Sequence, residues 1–110
     1  MSVRGLSEFT HVFGNSAGAT IALVSAVAGQ RVYLSRMIVT CASPAVTVVL
    51  QDTTGAAVSQ VFQLAANGSI LLDTPQNEEA WFATVPGRGL QLVQSGTSAI
   101  GYDVWVIQGP

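Results

Sequence analysis

The chain has 110 residues, 49% of them apolar and only 9% charged, with a formal net charge of −2. That length suits one domain with a real core, but an average soluble domain carries about 25% charged residues. No lysine occurs and the arginines (Arg4, Arg31, Arg36, Arg88) are scattered, so the clustered cations that bind a phosphate backbone are missing, which argues against nucleic acid as a partner. With so few charges, a small globule covers its surface with Ser, Thr, Gln and Asn, or with other subunits.

Residues 1–15 form the first block, in which Phe9, Val12 and Phe13 are interleaved with Ser7, Glu8, Thr10 and His11. Termini are usually disordered unless tied down, and three large apolar residues imply that this one is tied to something. The block is an edge strand or an arm that packs on a neighbouring subunit, and the arm is the favoured reading. Residues 16–110 are expected to form the domain proper.

Thr20–Val27 is the first clear strand, with Ile21 and Leu23 alternating with Ala22 and Val24. Its alanines would suit a short helix, but β-branched neighbours and flanking glycines argue for a strand. Arg31–Cys41 is the longest extended segment: Val32 and Leu34 hold one phase, and Met37, Val39 and Cys41 the other. A phase flip at Ser35-Arg36 is what an inserted bulge residue produces, the alternative being a strand buried on both faces. After Ala42-Ser43-Pro44 come Val46–Gln51 and, beyond Asp52-Thr53-Thr54-Gly55, the return strand Val58–Leu64 of a hairpin. Asn67-Gly68 marks a turn with positive φ, Ile70–Asp73 is a short strand, and 74–79 is the most polar loop.

Trp81–Leu92 reads as strand, turn, strand, breaking at Pro86-Gly87. Leu90 and Leu92 share one face of the second strand, with Gln91 and Gln94 open to solvent or partners. In the last strand, Ala99–Gln108, Ile100, Tyr102, Val104 and Val106 line one face, and Asp103, Trp105 and Ile107 the other. A Trp and an Ile beside a charge point to an interface; a core tryptophan is the alternative. About eight strands with turns between them and no helical pattern predict an all-β single-domain sandwich of jelly-roll or Greek-key type.

The constellations of catalysis are missing. His11 is the one histidine and sits in the peripheral block, where it reads as a surface or interface residue, so no His-based triad is expected. One Cys and one His far apart in sequence make no transition-metal site. Cys41 excludes an internal disulfide and reads as a small buried hydrophobe. Asp73, Glu78 and Glu79 lack the spacing of a calcium loop and read as a solvated turn. Adjacent Glu78 and Glu79 do not make a glycosidase pair, and the glycines form no phosphate cradle. No catalytic residue, cofactor or metal is expected. Met1–Gly5 lacks the apolar run of a signal peptide. Met37–Leu50 is too short to span a bilayer and contains Pro44. The expectation is a protein made in the cytosol, with no membrane partner.

Three segments, Ala26–Leu34, Val46–Leu50 and Leu64–Leu72, resemble in order and rhythm a group of small all-β virion proteins of tailed bacteriophages. Trp81–Thr84, the Pro-Gly-Arg-Gly turn, Leu90–Leu92 and Ile100–Val104 continue the pattern, so the resemblance covers roughly Ala19–Val106. It is carried by strand rhythm and turn chemistry. The resemblance implies a structural subunit of a virion, in the first place a capsid decoration (cement) protein that binds and stabilises the assembled lattice of major capsid protein. A homo-oligomer is expected, trimer before dimer. The interface residues expected are Phe9, Val12, Phe13, Trp105 and Ile107. The alternative is a tail-fibre or baseplate module binding a host glycan or protein, with Trp81 or Tyr102 stacking on sugar rings.

Overall fold

Period-two alternation of branched apolar residues builds every long strand, because a pleated strand sends successive side chains to opposite faces. In the computed structural model, which describes residues 9–73 and 80–110, the described residues form strands and turns with no helix. The strands are β1 (Thr10–Ser16), β2 (Thr20–Val24), β3 (Arg31–Cys41), β4 (Val46–Asp52), β5 (Phe62–Leu64), β6 (Ser69–Leu72), β7 (Phe82–Ala83), β8 (Leu90–Gln94) and β9 (Ile100–Gly109).

They pair into two antiparallel sheets, ordered β1-β9-β3-β6 and β2-β8-β4-β5, with β7 following β6 along the same edge of β3. This is an all-β sandwich. Val32, Leu34, Met37, Val39, Ile100, Val104 and Val106 of the first sheet face Ile21, Val48, Leu50, Leu90 and Leu92 of the second. Each of these is at most 4% exposed. Cys41 joins the core at 5% exposure, as a free thiol. The two C-terminal strands are both central, β8 between β2 and β4 and β9 between β1 and β3. Both sheets are therefore completed by the end of the chain.

The phase flip in β3 is a bulge. The register with β9 runs through Leu34↔Val106 and resumes at Arg36↔Trp105, leaving Ser35 as the extra residue. Val46–Asp52 and Phe62–Leu64 pair as the expected hairpin, with Ala57 bridging Gln51 on the way. Asn67 takes a φ of 60° in the Asn-Gly turn.

Three expectations are made specific or corrected. The strand, turn and strand expected across Pro86-Gly87 are present, and the two strands lie in different sheets: β7 belongs to the first and β8 to the second, so the turn carries the chain across the sandwich. Thr84 anchors the crossing, its amide donating to the Val32 carbonyl (3.0 Å) and its hydroxyl accepting from the Val32 amide (2.9 Å). Gly87, at φ 85°, makes the turn. Gly89 then passes so close to β2 that an added Cβ would lie 2.2 Å from the Val24 carbonyl oxygen. Secondly, Gln94 is buried, sharing the inward phase of Leu90 and Leu92; its amide nitrogen donates to the carbonyls of Gly18 and Ser98, both at 2.9 Å. Thirdly, the block favoured as an arm supplies β1 to its own chain's sheet, paired with β9 from Thr10↔Val106 to Ser16↔Ile100. Its first eight residues lie outside the described ones, as does the polar loop 74–79 with Glu78 and Glu79.

Candidate functional site: the outer face of the β1-β9-β3-β6 sheet

Alternation leaves each sheet an outward row, and the rows of the first sheet carry large and charged side chains. His11 and Trp105 are register partners, as are Trp105 and Arg36, so three strands contribute one rung. The His11 and Trp105 rings stack at 4.4 Å between centroids, only 6° from parallel. On the other side the Arg36 guanidinium carbon lies 4.6 Å from the Trp105 ring centroid. Phe13 extends the stack, 4.8 Å from His11. At the opposite end, Arg36 Nε is 3.2 Å from Asp73 Oδ1, and the Trp81 indole N–H donates to the Asp73 carbonyl. The result is a band of rings and guanidinium from Phe13 to Trp81.

The bulge makes this band. In a strand without the bulge, position 36 would share the inward phase of Leu34 and drive a guanidinium at the core. The inserted residue re-aims Arg36 outward onto Trp105 while Met37 returns to the interior. Trp105 is half-buried on the outside of the sheet, which answers whether it belongs to the core. Trp81 is 44% exposed and Phe13 68% exposed.

Of the expected interface residues, Phe13, Trp105 and Ile107 share this face, with Ile107 opposite Tyr33 of β3. Phe9 is half-buried just ahead of β1, in the phase of His11 and Phe13. Val12 is on the other side, packed against the core. Sequence reasoning missed Arg36, because its direction depends on the bulge, and the tie between His11 Nε2 and Asp103 Oδ1 (2.8 Å), which spans 92 positions.

Beside the band, the face opens into a cleft of about 240 Å³. Gly101 is its floor, between Asn15 of β1 and Thr40 of β3, its register partners on either side. Phe13, Ile38 and Asp103 form the adjoining wall. An added Cβ on Gly101 would meet Thr40 Oγ1 at 2.7 Å and Asn15 Oδ1 at 3.1 Å. Both polar side chains therefore converge over the space that glycine leaves. A glycine inside a strand is the sequence signal for such a close approach.

A second charged cluster has a different character. Asp52, 4% exposed at the end of β4, accepts from the Thr54 hydroxyl, the amides of Thr54 and Ala56, and Arg88 Nη1 at 2.9 Å. The Thr54 hydroxyl is the largest of the influences that hold the Asp52 pKa at about 2, below the ordinary 3.8, against the upward push of burial. Arg88 also donates to Thr54 Oγ1. The carboxylate is enclosed by its own turn and by the crossing turn, so this is a structural clasp.

No family model matches this sequence, and no match is found among curated proteins or solved structures.

Proposed function

We propose that this chain is an assembly module that docks through the outer face of its β1-β9-β3-β6 sheet, with the major capsid protein of a tailed phage as its partner. On this reading it decorates the assembled coat lattice as a homo-oligomer, a trimer, and resides in the virion. The observation that carries the proposal is the band from Phe13 through His11, Trp105 and Arg36 to Trp81 on an otherwise weakly charged molecule.

What supports the reading is the match between that band and the chemistry of protein interfaces. Binding energy there concentrates in a few Trp, Tyr and Arg side chains, and a contiguous exposed apolar patch on a small domain marks a contact surface. Trp105 and Arg36 already hold each other in place, so docking would immobilise little that is free beforehand. The resemblance to phage virion proteins supplies the partner.

The test is mass by light scattering on the protein alone, then co-sedimentation with expanded and unexpanded particles of a tailed-phage major capsid protein from the same genome. A trimer that pellets with expanded capsids and ignores free coat protein is the expected result. A monomer that pellets with neither particle overturns the proposal.

A further inference from the structure

We propose that the Gly101 cleft, which shares Phe13 with the docking band, is a binding site for one neutral pyranose ring in the undocked chain. Its volume, about 240 Å³, is below the roughly 300–1,000 Å³ of sites for drug-sized ligands, so it holds one ring rather than an extended molecule. Its lining is mixed in the way a sugar requires. A pyranose has a C–H face that is apolar and an edge of hydroxyls that both donate and accept. The cleft offers an exposed aromatic ring, Phe13, for the first. For the second it offers the Asn15 carboxamide, which donates and accepts, the Thr40 hydroxyl, which donates to the Gly101 carbonyl and so accepts from a ligand, and the Asp103 carboxylate, which accepts.

Two features make this a prepared site. Asp103 is held by His11 through Oδ1 alone, which leaves Oδ2 to bind a hydroxyl. Phe13 is braced on one side by the same histidine, at 4.8 Å, so ring and carboxylate are positioned together before any ligand arrives. Gly101 supplies the room, since any side chain there would fill the space under Asn15 and Thr40. The carboxylate also selects. An anionic sugar would bring a second negative charge against Asp103, and a cation would find Asp103 already facing the histidine, with donors among its remaining partners. Neither Trp81 nor Tyr102 supplies the stacking ring: Trp81 is bound to Asp73 beside the β3 edge, and the Tyr102 side chain packs against the core.

The experiment is a titration of the full chain, followed by amide ¹H–¹⁵N spectra, with the methyl glycosides of glucose, galactose, mannose and N-acetylglucosamine, and with methyl glucuronide as the anionic control. At least one neutral glycoside is expected to give saturable, millimolar shifts centred on Asn15, Gly101 and Asp103. Asn15→Ala and Phe13→Ala, both at exposed positions, should each weaken binding about tenfold. Gly101→Ala should abolish it. The proposal is overturned if no neutral glycoside shifts these amides, if the shifts fall elsewhere, if the variants bind as well as the parent, or if the glucuronide binds best. Trp105→Ala, in the docking band but outside the cleft lining, should lose capsid pelleting and keep the sugar shifts, so loss of lattice docking and loss of sugar binding are separate results.

Discussion

The two outer faces of this sandwich are built on the same alternation and cover the same core, yet they carry different chemistry. On the β2-β8-β4-β5 sheet the outward residues of the central strands are Thr47, Val49, Gln51, Gln91 and Val93, and Gln91 bonds Gln51 across the strands at 3.2 Å. On the β1-β9-β3-β6 sheet the outward residues include His11, Phe13, Tyr33, Arg36, Ile38, Asp103, Trp105 and Ile107. Folding rests on the inward rows, which are apolar in both sheets except for Asp52 and Gln94 at the strand ends of the second. The outward rows are free to vary, and the second sheet pairs with a plain face of Thr, Val and Gln. Exposed rings and a bulge that turns an arginine outward are therefore not demanded by the fold. The carboxylates follow the same division: Asp52 is enclosed in a clasp with half-exposed Arg88, while Asp73 and Asp103 lie across the open face.

The comparison is put at risk first by damaging the plain sheet. Gly89→Ala places a methyl 2.2 Å from the Val24 carbonyl oxygen and 2.8 Å from the Ala26 nitrogen, both backbone atoms that cannot rotate away. We expect a loss of about 3 kcal/mol in urea unfolding, the upper end for overpacking. Docking on capsids, scored per folded molecule, should not change. If affinity falls along with stability, the plain sheet is part of the interface and the contrast between the faces fails.

The next largest effect is on the other face. Trp105→Ala removes the ring between His11 and Arg36 and should weaken capsid docking by about 2 kcal/mol, roughly thirtyfold. The matched change on the plain sheet, Val49→Ala, should leave pelleting as it was. Equal losses from the two variants would show that the aromatic band has no special part in docking.

How far this division is legible in the sequence depends on the range of the contact. The inward rows of β4 and β9 are read directly from alternation; the phase flip between Val32-Leu34 and Met37-Val39-Cys41 is visible too, but choosing a bulge over a strand buried on both faces takes the pairing with β9. Trp105 stands out because it shares a face with Asp103. Gln94 reads as open to solvent although its phase is that of Leu90 and Leu92; the carbonyls of Gly18 and Ser98 that receive its amide are set by loops whose meeting no local pattern announces. Local turn chemistry at Pro86-Gly87 gives a turn, but pairing across it depends on which sheet has an open edge, and β3 claims β7 while β2 and β4 claim β8. The cleft is invisible for the same reason. Asn15, Thr40 and Gly101 meet only because β9 inserts between β1 and β3.

A smaller effect separates the two charge clusters. Asp52 titrates at about 2 when folded and near 3.8 when not. Between those values the unfolded chain binds more protons than the folded one, so stability falls as pH drops through that window; above it the contribution is fully present. Thermal midpoints measured from neutral pH down to about 2 should show this fall, and Asp52→Asn, which cannot ionise, should flatten it. An unchanged slope in the variant would mean that acid sensitivity arises elsewhere and that the clasp does not stabilise through its charge.

The smallest effect tests what Arg36 contributes to the band. Its ion pair with Asp73 is solvent-accessible, and such pairs are worth about 0–1 kcal/mol and fade with salt. Its contact with Trp105 depends on a flat guanidinium lying on a ring, worth about 0.5–1 kcal/mol where exposed. Arg36→Lys keeps the charge and loses the plane. If the stack matters, the lysine variant should dock about threefold more weakly at high salt as well as low, because the lost contact is not a screened one. If the ion pair is what matters, lysine should substitute fully at low salt, and parent and variant should weaken together as salt rises. The bulge favours the first outcome. A strand that needed only a positive charge near Asp73 could take it from any flexible side chain at its edge, whereas setting a planar group over Trp105 requires the backbone to be shifted at Ser35.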